Sequence, residues 1–311
     1  MADVRLSLVG AGRWGRNIVR TVAAMEGVRL VAVASRNPET AALVPPGTRV
    51  VGDWRDAVAA DADGVIVASP PASHADIALA AIDRGRAVLI EKPLTMDVAE
   101  AERVADAAER ADALVGVDHV HLFHPAFREL IRRARDLGAV RAVESAAGGD
   151  GPFRADTPVL WDWGPHDVAM CLTLMGRRPA KTAAAVRERR RTANGIGEIL
   201  DMTLEFENGV AARIAVGNLL PEKARHFRAV FDAGSLVYRD RADAPLVFVD
   251  KEARERPIDV PPDPPLTCAL ADFAGKIASG ARDRTGLALG LDTVRVLADC
   301  DAALVDRTAG A

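Results

Sequence analysis

The chain has 311 residues, 49% of them hydrophobic and 27% charged, which provides enough apolar sequence for two domain cores and excludes a wholly disordered protein. Its net charge of −4 at pH 7 argues against a nucleic-acid-binding protein, because such proteins need a basic surface to displace counterions. Its 3 cysteines form no C-x-x-C pair, which excludes a structural zinc site or a disulfide framework. No stretch reaches the roughly 18 uninterrupted apolar residues of a membrane helix, and no signal peptide is recognised, so we expect a cytoplasmic protein without membrane contact.

The first third of the sequence alternates between short β-branched runs and alanine-rich stretches with helical spacing. Predicted strands lie at 6–9, 30–33, 65–67, 88–90 and 114–117. Predicted helices lie at 17–24, 73–84 and 97–112. The last helix begins with Asp97 and Glu100, a spacing that resembles a capping box. Because the strands are apolar throughout and alternate with helices, we predict an α/β domain with a parallel sheet over residues 1–122.

After residue 123 the pattern changes to longer strands with alternating polarity. Predicted helices lie at 125–136, 165–175, 266–279 and 290–305. Predicted strands lie at 140–145, 200–207 and 210–216. Asn208-Gly209 is a strong hairpin signal, and a second turn is expected at Ala233-Gly234. Hairpins join antiparallel strands, so we predict a second, α+β domain over residues 123–311.

A glycine-rich loop follows the first predicted strand and opens the first predicted helix. Residues 10–15 match G-x-G-x-x-G, a pattern that indicates a dinucleotide site in this strand-to-helix context. Gly10 permits the tight turn, Gly12 lets the backbone approach a pyrophosphate, and Gly15 allows helix and strand to pack closely. The amide groups at the helix N-terminus then bind the phosphates. The loop, with Arg13 and Trp14, is therefore a candidate site for a nicotinamide dinucleotide.

The residues after the second predicted strand distinguish NADP from NAD. An NAD site usually carries a carboxylate here, which binds the ribose 2′-hydroxyl. This sequence has Ser35 and Arg36 instead, and a guanidinium binds a 2′-phosphate with charge-assisted hydrogen bonds worth roughly 1.5–3 kcal/mol. We therefore expect NADP(H) to be preferred, with NAD(H) as the alternative if Arg36 is a solvated loop charge.

Two motifs far apart in the sequence carry candidate catalytic residues. Lys92 follows the strand at 88–90, and the carboxyl ends of parallel strands face the crevice that binds the cofactor. Downstream, Gly164 is expected to cap a helix and Pro165 to begin it. His166 would then lie in the first turn, whose positive end favours the neutral imidazole. A neutral histidine beside a lysine suits proton transfer at a substrate oxygen while hydride moves at carbon.

At these residues the sequence resembles the Gfo/Idh/MocA family of oxidoreductases. The resemblance is carried by the glycine loop, by Ser-Pro-Pro-Ala-Ser-His at 69–74, by Glu-Lys-Pro at 91–93, and by Asp-x-x-x-His at 162–166. The family implies a Rossmann α/β domain with a parallel sheet, followed by an α+β domain with an open, mostly antiparallel sheet. It also implies that Lys92 touches nicotinamide and substrate, that the Lys92–Pro93 peptide is cis, and that Asp162 and His166 complete the acid–base set. The expected cofactor-binding residues are Gly10, Gly12, Arg13, Trp14, Gly15, Ser35, Arg36, Ser69, Pro70, His74, Glu91 and Lys92.

The sequence departs from the family pattern at two places. Many members carry an acid three residues after the histidine, where this chain has Ala169, while Asp167 is adjacent to the histidine. The sequence therefore leaves open which residue orients His166. The stretch 118–125 is closer to the sugar-nucleotide dehydrogenases of the family, a local likeness that does not determine the substrate.

Several further residues allow two interpretations. Trp163 and His121 are candidate substrate-binding residues, although a tryptophan in the core fits the sequence equally well. Histidines alternate around His121, but no cysteine or carboxylate pair converges with them, so we expect no metal site. The basic run at 223–228 places Arg225 and His226 on opposite sides of a strand, which favours a solvated face over an anion site.

These observations together predict an NADP(H)- or NAD(H)-dependent oxidoreductase that acts on a secondary alcohol or ketone of a sugar, cyclitol or sugar nucleotide. In this interpretation Lys92 positions the reacting oxygen, His166 exchanges its proton, and Asp162 orients one of them. Two alternatives are a cofactor-binding regulator of the same fold and an enzyme that cleaves glycosides through transient use of NAD. The expected partners are a small polyol or sugar substrate and further copies of the chain in a homodimer or homotetramer, without nucleic acid.

Overall fold

The computed structural model describes residues 3–240 and 242–308. Within them the chain forms two compact units. The first unit combines the chain up to Val120 with Pro264–Val294, and the second combines His121–Asp263 with the chain from Arg295 onward. The chain thus passes into the second unit close to the predicted boundary at 122, and it later returns to the first unit with its C-terminal helices.

The first unit contains one sheet of six parallel strands in the order β3-β2-β1-β4-β5-β6. The strands are β1 (Val4–Val9), β2 (Val28–Ala34), β3 (Arg49–Val51), β4 (Gly64–Val67), β5 (Ala87–Glu91) and β6 (Val115–Asp118). The helices are α1 (Arg13–Ala23), α2 (Trp54–Val58), α3 (His74–Ile82), α4 (Val98–Arg110) and α7 (Pro265–Ala278). This strand order is that of a doubly wound dinucleotide-binding domain, which confirms the predicted parallel sheet.

Burial and capping explain why these segments adopt their structures. All four residues of β4 are buried, as a sheet covered on both faces requires. Helix α4 begins where Asp97 accepts a hydrogen bond from the Glu100 amide at 2.9 Å, as the capping pattern predicts. Strand β3 has no counterpart among the predicted strands, because three residues leave too short a pattern to recognise.

The second unit contains an eight-stranded sheet in the order β14-β13-β12-β11-β7-β10-β9-β8. The strands are β7 (Ala142–Asp150), β8 (Lys181–Thr192), β9 (Gly195–Glu205), β10 (Ala211–Gly217), β11 (Leu219–Phe231), β12 (Gly234–Arg239), β13 (Leu246–Val249) and β14 (Glu255–Pro257). Only β7 and β10 pair in parallel; the other neighbours in this sheet are antiparallel, which confirms the expected mostly antiparallel sheet. Two helices pack on it, α5 (Pro125–Ala134) against β12 and β13, and α6 (Val159–Met175) against β7, β9 and β10. The last helix, α8 (Thr285–Thr308), passes from the first unit into the second.

Helix α6 begins earlier than the sequence analysis predicts. Pro158 caps it and Pro165 lies inside it, so the prediction that Gly164 caps the helix and Pro165 begins it is wrong. A Gly-Pro pair is common at a helix start, but here the residues from Val159 onward already form helical turns. Gly164 has a packing role instead, since a Cβ there would lie 2.9 Å from Leu297 of α8. His166 is therefore about two turns inside the helix, where the positive charge of the N-terminus does not act on it.

Candidate active site

The glycine loop joins β1 to α1 with the geometry that a dinucleotide requires. Gly10 has a φ of +100°, and a Cβ there would lie 2.5 Å from the Ala68 carbonyl oxygen. A Cβ at Gly15 would lie 2.0 Å from the Gly10 oxygen, whereas nothing lies within 4 Å of a Cβ at Gly12. Two glycines are thus required by close packing, and the third faces open space. The first turn of α1 carries no acidic residue, so its amide groups suit phosphate oxygens.

This loop forms one wall of a cleft of about 1280 Å³ within the first unit. The cleft is rich in positive charge. Its arginines are Arg13, Arg16, Arg20, Arg36 and Arg55. Asp53 also lines it and caps α2 by accepting a hydrogen bond from the Arg55 amide at 2.8 Å. The volume, the open glycine and the guanidinium groups fit an elongated anion such as a dinucleotide.

The end of β2 has no carboxylate that faces the cleft. The Ser35 hydroxyl accepts hydrogen bonds from Thr40 Oγ1 at 2.7 Å and from the Asn37 amide at 3.2 Å. Arg36 is exposed, lines the cleft, and makes no hydrogen bond or ion pair with another described residue. A neighbouring segment was missed by the sequence analysis: the Arg55 guanidinium stacks 4.4 Å from the centre of the Trp54 ring in the same cleft. Its signal, a short Asp-Trp-Arg after a three-residue strand, is too weak to recognise alone.

The side chain of His74 links the segment after β4 to the segment after β5. Ser69 and Pro70 line the cleft, and the Ser69 hydroxyl lies 2.7 Å from that of Ser73. His74 is buried beneath them, with one ring nitrogen 2.9 Å from the Ser69 oxygen and the other 2.9 Å from the Pro93 oxygen. The Lys92–Pro93 peptide is cis, as the resemblance implies. The expected cofactor-binding His74 thus contacts the backbone of two loops, one of which carries Lys92.

A buried pair of carboxyl groups lies at the carboxyl edge of the sheet, beside Lys92. Glu91 of β5 and Asp118 of β6 are directly paired in register, and the Trp14 indole N–H donates to Glu91. Burial, reinforced by the neighbouring Asp118 charge, raises the pKa of Glu91 well above its usual range. Burial also raises the pKa of Asp118 to about 6. Both Asp118 carboxyl oxygens are buried without a hydrogen-bond partner among the described residues, which agrees with a pair that takes up protons more readily than free carboxyl groups do.

Lys92 influences its buried neighbours through its charge. Burial lowers the pKa of His119 to about 3, and the Lys92 ammonium adds to this effect. His119 is therefore neutral across the physiological pH range. The same ammonium favours the ionised form of Glu91, but the effect of burial on Glu91 is larger.

The second unit contains the other candidate catalytic residues. His166 of α6 is buried, and its ring meets that of His121 edge to face, with ring centres 4.8 Å apart and an angle of 85°. His121 Nδ1 lies 2.8 Å from the Tyr238 hydroxyl. Asp162 precedes His166 by one helical turn, and one of its carboxylate oxygens lies 3.4 Å from Arg154 Nη1. Sequence reasoning missed Tyr238, because its distance of 117 positions from His121 leaves no local pattern.

Asp167 is held by partners that the sequence analysis did not identify. It is fully buried, accepts a hydrogen bond from Ser145 Oγ at 2.6 Å, and forms an ion pair with Arg225 of β11. The prediction of a solvated basic face is therefore wrong for Arg225, which is 7% exposed because it neutralises a buried carboxylate. His226 is exposed, so the two neighbours do face opposite sides of the strand.

The two tryptophans of this segment have different environments. The buried Trp161 donates from Nε1 to Asp301 at 3.2 Å, which makes it part of the core. Trp163 is half-buried, and its Nε1 has no hydrogen-bond partner among the described residues. A buried donor of this kind is available to a ligand, so Trp163 remains a candidate for substrate binding. Across residues 3–240 and 242–308, no three His, Cys, Asp or Glu side chains converge as metal ligands, and no helix is both long and apolar enough to cross a membrane.

The parallel sheet, the glycine loop and the charged cleft define a dinucleotide-binding oxidoreductase. Residues 4–119 match the NAD-binding Rossmann fold of the Gfo/Idh/MocA oxidoreductase family, and residues 125–237 match the Gfo/Idh/MocA C-terminal domain. The chain belongs to this family, as the resemblance in its motifs implies.

Named relatives and a solved structure support the assignment over most of the chain. The UDP-N-acetylglucosamine 3-dehydrogenase of Acidithiobacillus ferrooxidans is 29% identical over 238 residues, which cover 73% of this chain and 71% of that protein. Inositol 2-dehydrogenase 4 of Saccharopolyspora erythraea is 33% identical over 227 residues, covering 69% and 67%. A crystal structure of a protein from Magnetospirillum magnetotacticum MS-1 superposes with a TM-score of 0.90 at 43% identity, covering 96% of this chain and 100% of that one.

Proposed function

We propose that this chain transfers a hydride between a nicotinamide cofactor, with NADP(H) preferred, and a secondary alcohol or ketone of a sugar, cyclitol or sugar nucleotide. The observation that carries the proposal is the position of Lys92. It follows β5 at the carboxyl edge of the sheet that bears the glycine cleft, beside two buried carboxyl groups whose pKa values are raised. The substrate class comes from the names of the relatives, which act on a sugar nucleotide and on inositol.

Each proposed catalytic residue has a separate role. The Lys92 ammonium holds the reacting oxygen and stabilises negative charge on it. His166 takes the hydroxyl proton during oxidation and returns it during reduction, while Asp162 orients the substrate or the histidine. The bound nicotinamide supplies the hydride chemistry at carbon. These roles require Lys92, Asp162 and His166 to face one shared cleft, which stays a prediction.

The preference for NADP(H) rests on the end of β2. A carboxylate there would repel a 2′-phosphate, whereas Arg36 lines the cleft with its guanidinium exposed. The Ser35 hydroxyl can still donate its own proton, because both of its described hydrogen bonds are accepted ones. Arg36 and Ser35 together would therefore offer donors to phosphate oxygens.

The test is a panel of polyols, inositols and nucleotide sugars with both cofactors, followed by the absorbance of reduced nicotinamide. We expect turnover of at least one substrate, with a higher kcat/KM for NADP(H) than for NAD(H). The control is Lys92→Met, which keeps the aliphatic stem and should bind cofactor while losing turnover. Cofactor binding without turnover across the panel would favour the regulator, and release of an aglycone without net reduction would favour the glycoside-cleaving enzyme. The homodimer or homotetramer implied by the resemblance is a separate proposal, which sedimentation of the purified protein would test.

A further inference from the structure

The hydroxyl of Tyr238, the single tyrosine of the chain, has a restricted choice of partners. Tyr238 lies on β12 and is 0% exposed, with its ring among those of His121, His124 and Phe127. Its hydroxyl oxygen lies 2.8 Å from His121 Nδ1 and makes no other hydrogen bond to a described residue. A buried hydroxyl with one partner must either donate its proton to that partner or leave the proton without an acceptor.

We propose that Tyr238 is a positioning residue, which fixes His121 as the neutral tautomer with an unprotonated Nδ1 and a proton on Nε2, and through that ring holds His166 in place. The catalytic role of His166 rests on the proposed function. The tautomer of His121 does not depend on it. His121 and Tyr238 are 117 positions apart in sequence, so only the fold brings them into contact.

The position of the hydroxyl proton decides the tautomer. If His121 Nδ1 carried a proton, it would donate to the Tyr238 oxygen, and the buried Tyr238 O–H would have no acceptor. Such an unsatisfied donor disfavours that arrangement by on the order of tenfold to a hundredfold. Ionisation of Tyr238 does not remove this unsatisfied donor, because the pKa of Tyr238 lies far above its usual range. Burial and the charges of Asp240 and Asp167 raise it, and Arg225 has a smaller opposite effect. The tyrosine therefore donates, and Nε2 of His121 carries the proton.

The consequence reaches the candidate catalytic histidine through a ring contact. The His121 and His166 rings meet at 85° with centres 4.8 Å apart, so a rotation of His121 would displace His166 or open a gap beside it. The three residues come from separate elements: His121 from the single-turn helix Val120–Phe123, His166 from α6 and Tyr238 from β12. The hydroxyl thus connects the sheet to the candidate acid–base residue.

The experiment measures the His121 tautomer directly in the full-length protein. We would record long-range ¹H–¹⁵N correlation spectra of protein labelled with ¹⁵N-histidine near pH 7.5, and assign His121 by the signals lost in His121→Gln. The wild type should show the neutral tautomer protonated on Nε2. In Tyr238→Phe the Nδ1-protonated form should become populated, by at least tenfold over the wild type. The control, Phe127→Leu, alters a ring beside Tyr238 without touching the hydroxyl and should keep the wild-type tautomer.

The wild-type spectrum alone can overturn the proposal, even if Tyr238→Phe fails to fold. A wild-type His121 protonated on Nδ1, or charged, would refute it, as would identical tautomers in the wild type and Tyr238→Phe. With an active substrate in hand, Tyr238→Phe should lower kcat by about tenfold and leave the KM for cofactor unchanged. An altered tautomer with an unchanged kcat would refute the positioning role. If the chain turns over no substrate, the proposed function fails while the tautomer measurement still stands.

Discussion

Replacing Asp118 with asparagine should abolish the loss of folding stability that ionisation of Asp118 causes in the wild type as the pH rises. In the folded protein Glu91 and Asp118 are paired in register and both buried, and burial raises the pKa of Asp118 from 3.8 to about 6. The unfolded chain has no such environment, so its Asp118 ionises near the ordinary pKa. Asp118→Asn keeps the size and shape of the side chain and removes the ionisation.

The sign follows from the direction of the shift. About two pH units below the ordinary pKa of 3.8, Asp118 is protonated in both states and contributes no penalty. As the pH rises from about 4 to about 6 the unfolded chain loses this proton while the folded chain retains it, so the free energy of unfolding falls. A shift of about two pKa units lowers the free energy of unfolding by about 3 kcal/mol. The loss is complete once the pH exceeds the pKa of Asp118 in the folded protein. Relative to the wild type, Asp118→Asn should therefore gain about 3 kcal/mol between pH 4 and pH 7.

The assay is urea denaturation of both proteins over this pH range, with the difference in unfolding free energy plotted against pH. Ionisations of groups remote from Asp118 are common to both proteins and cancel in the difference, whereas Glu91, whose pKa the Asp118 charge helps to raise, contributes to it. Asp106→Asn, at an exposed position of α4, is the matched control and should give a difference that does not change with pH. A constant difference for Asp118→Asn would refute the inference that the pair holds a proton at the cost of folding stability.

Three further outcomes test other parts of the molecule. Arg36→Asp should shift cofactor preference from NADP toward NAD by about tenfold to a hundredfold, measured as the ratio of dissociation constants, whereas Arg29→Asp, at an exposed position within β2, should leave the ratio unchanged. His166→Ala should lower kcat by about 10²–10⁴-fold at nearly constant cofactor affinity, and full activity on a verified substrate would contradict its catalytic role. Arg225→Ala should cost about 3–5 kcal/mol in chemical denaturation, because it leaves the buried Asp167 charge unpaired; adding Asp167→Asn should recover part of that loss.

The fold was predictable from sequence where a single segment carries its own signal. The β-branched runs and the alanine-rich stretches predict β1, β2 and β4–β6 with helices α1, α3 and α4, and Asn208-Gly209 predicts the turn between β9 and β10. The start of α6 was not predictable from sequence, because a Gly-Pro pair is also common at a helix start. Only the packing of Gly164 against Leu297 shows the other role of this glycine. A local pattern cannot distinguish a cap from a close contact with a distant helix.

The candidate site was predictable in its residue types and not in its buried pairs. Lys92 and the glycine loop are recognisable because their neighbours in sequence define their surroundings. Asp167 and Arg225 are 58 positions apart, and their ion pair depends on β11 pairing with β7 in one register. Arg225 therefore resembles a solvated charge until the fold supplies its partner.

The charges around Lys92 show why a buried carboxyl pair is compatible with the proposed chemistry. Two ionised carboxylates beside the reacting oxygen would oppose the negative charge that develops on it as the proton leaves. The raised pKa of Glu91 favours its neutral form, which removes one of these charges, and burial raises the pKa of Asp118 as well. His119 adds no charge, since its pKa is about 3. The carboxyl pair therefore carries less negative charge than two ionised carboxylates would, and the ammonium can stabilise an anionic oxygen without a nearby dianion opposing it. Ionisation of Glu91 would weaken this stabilisation, and the Asp118 charge helps to keep the pKa of Glu91 high, so the pH at which turnover declines on the alkaline side should fall when Asp118 is replaced by asparagine.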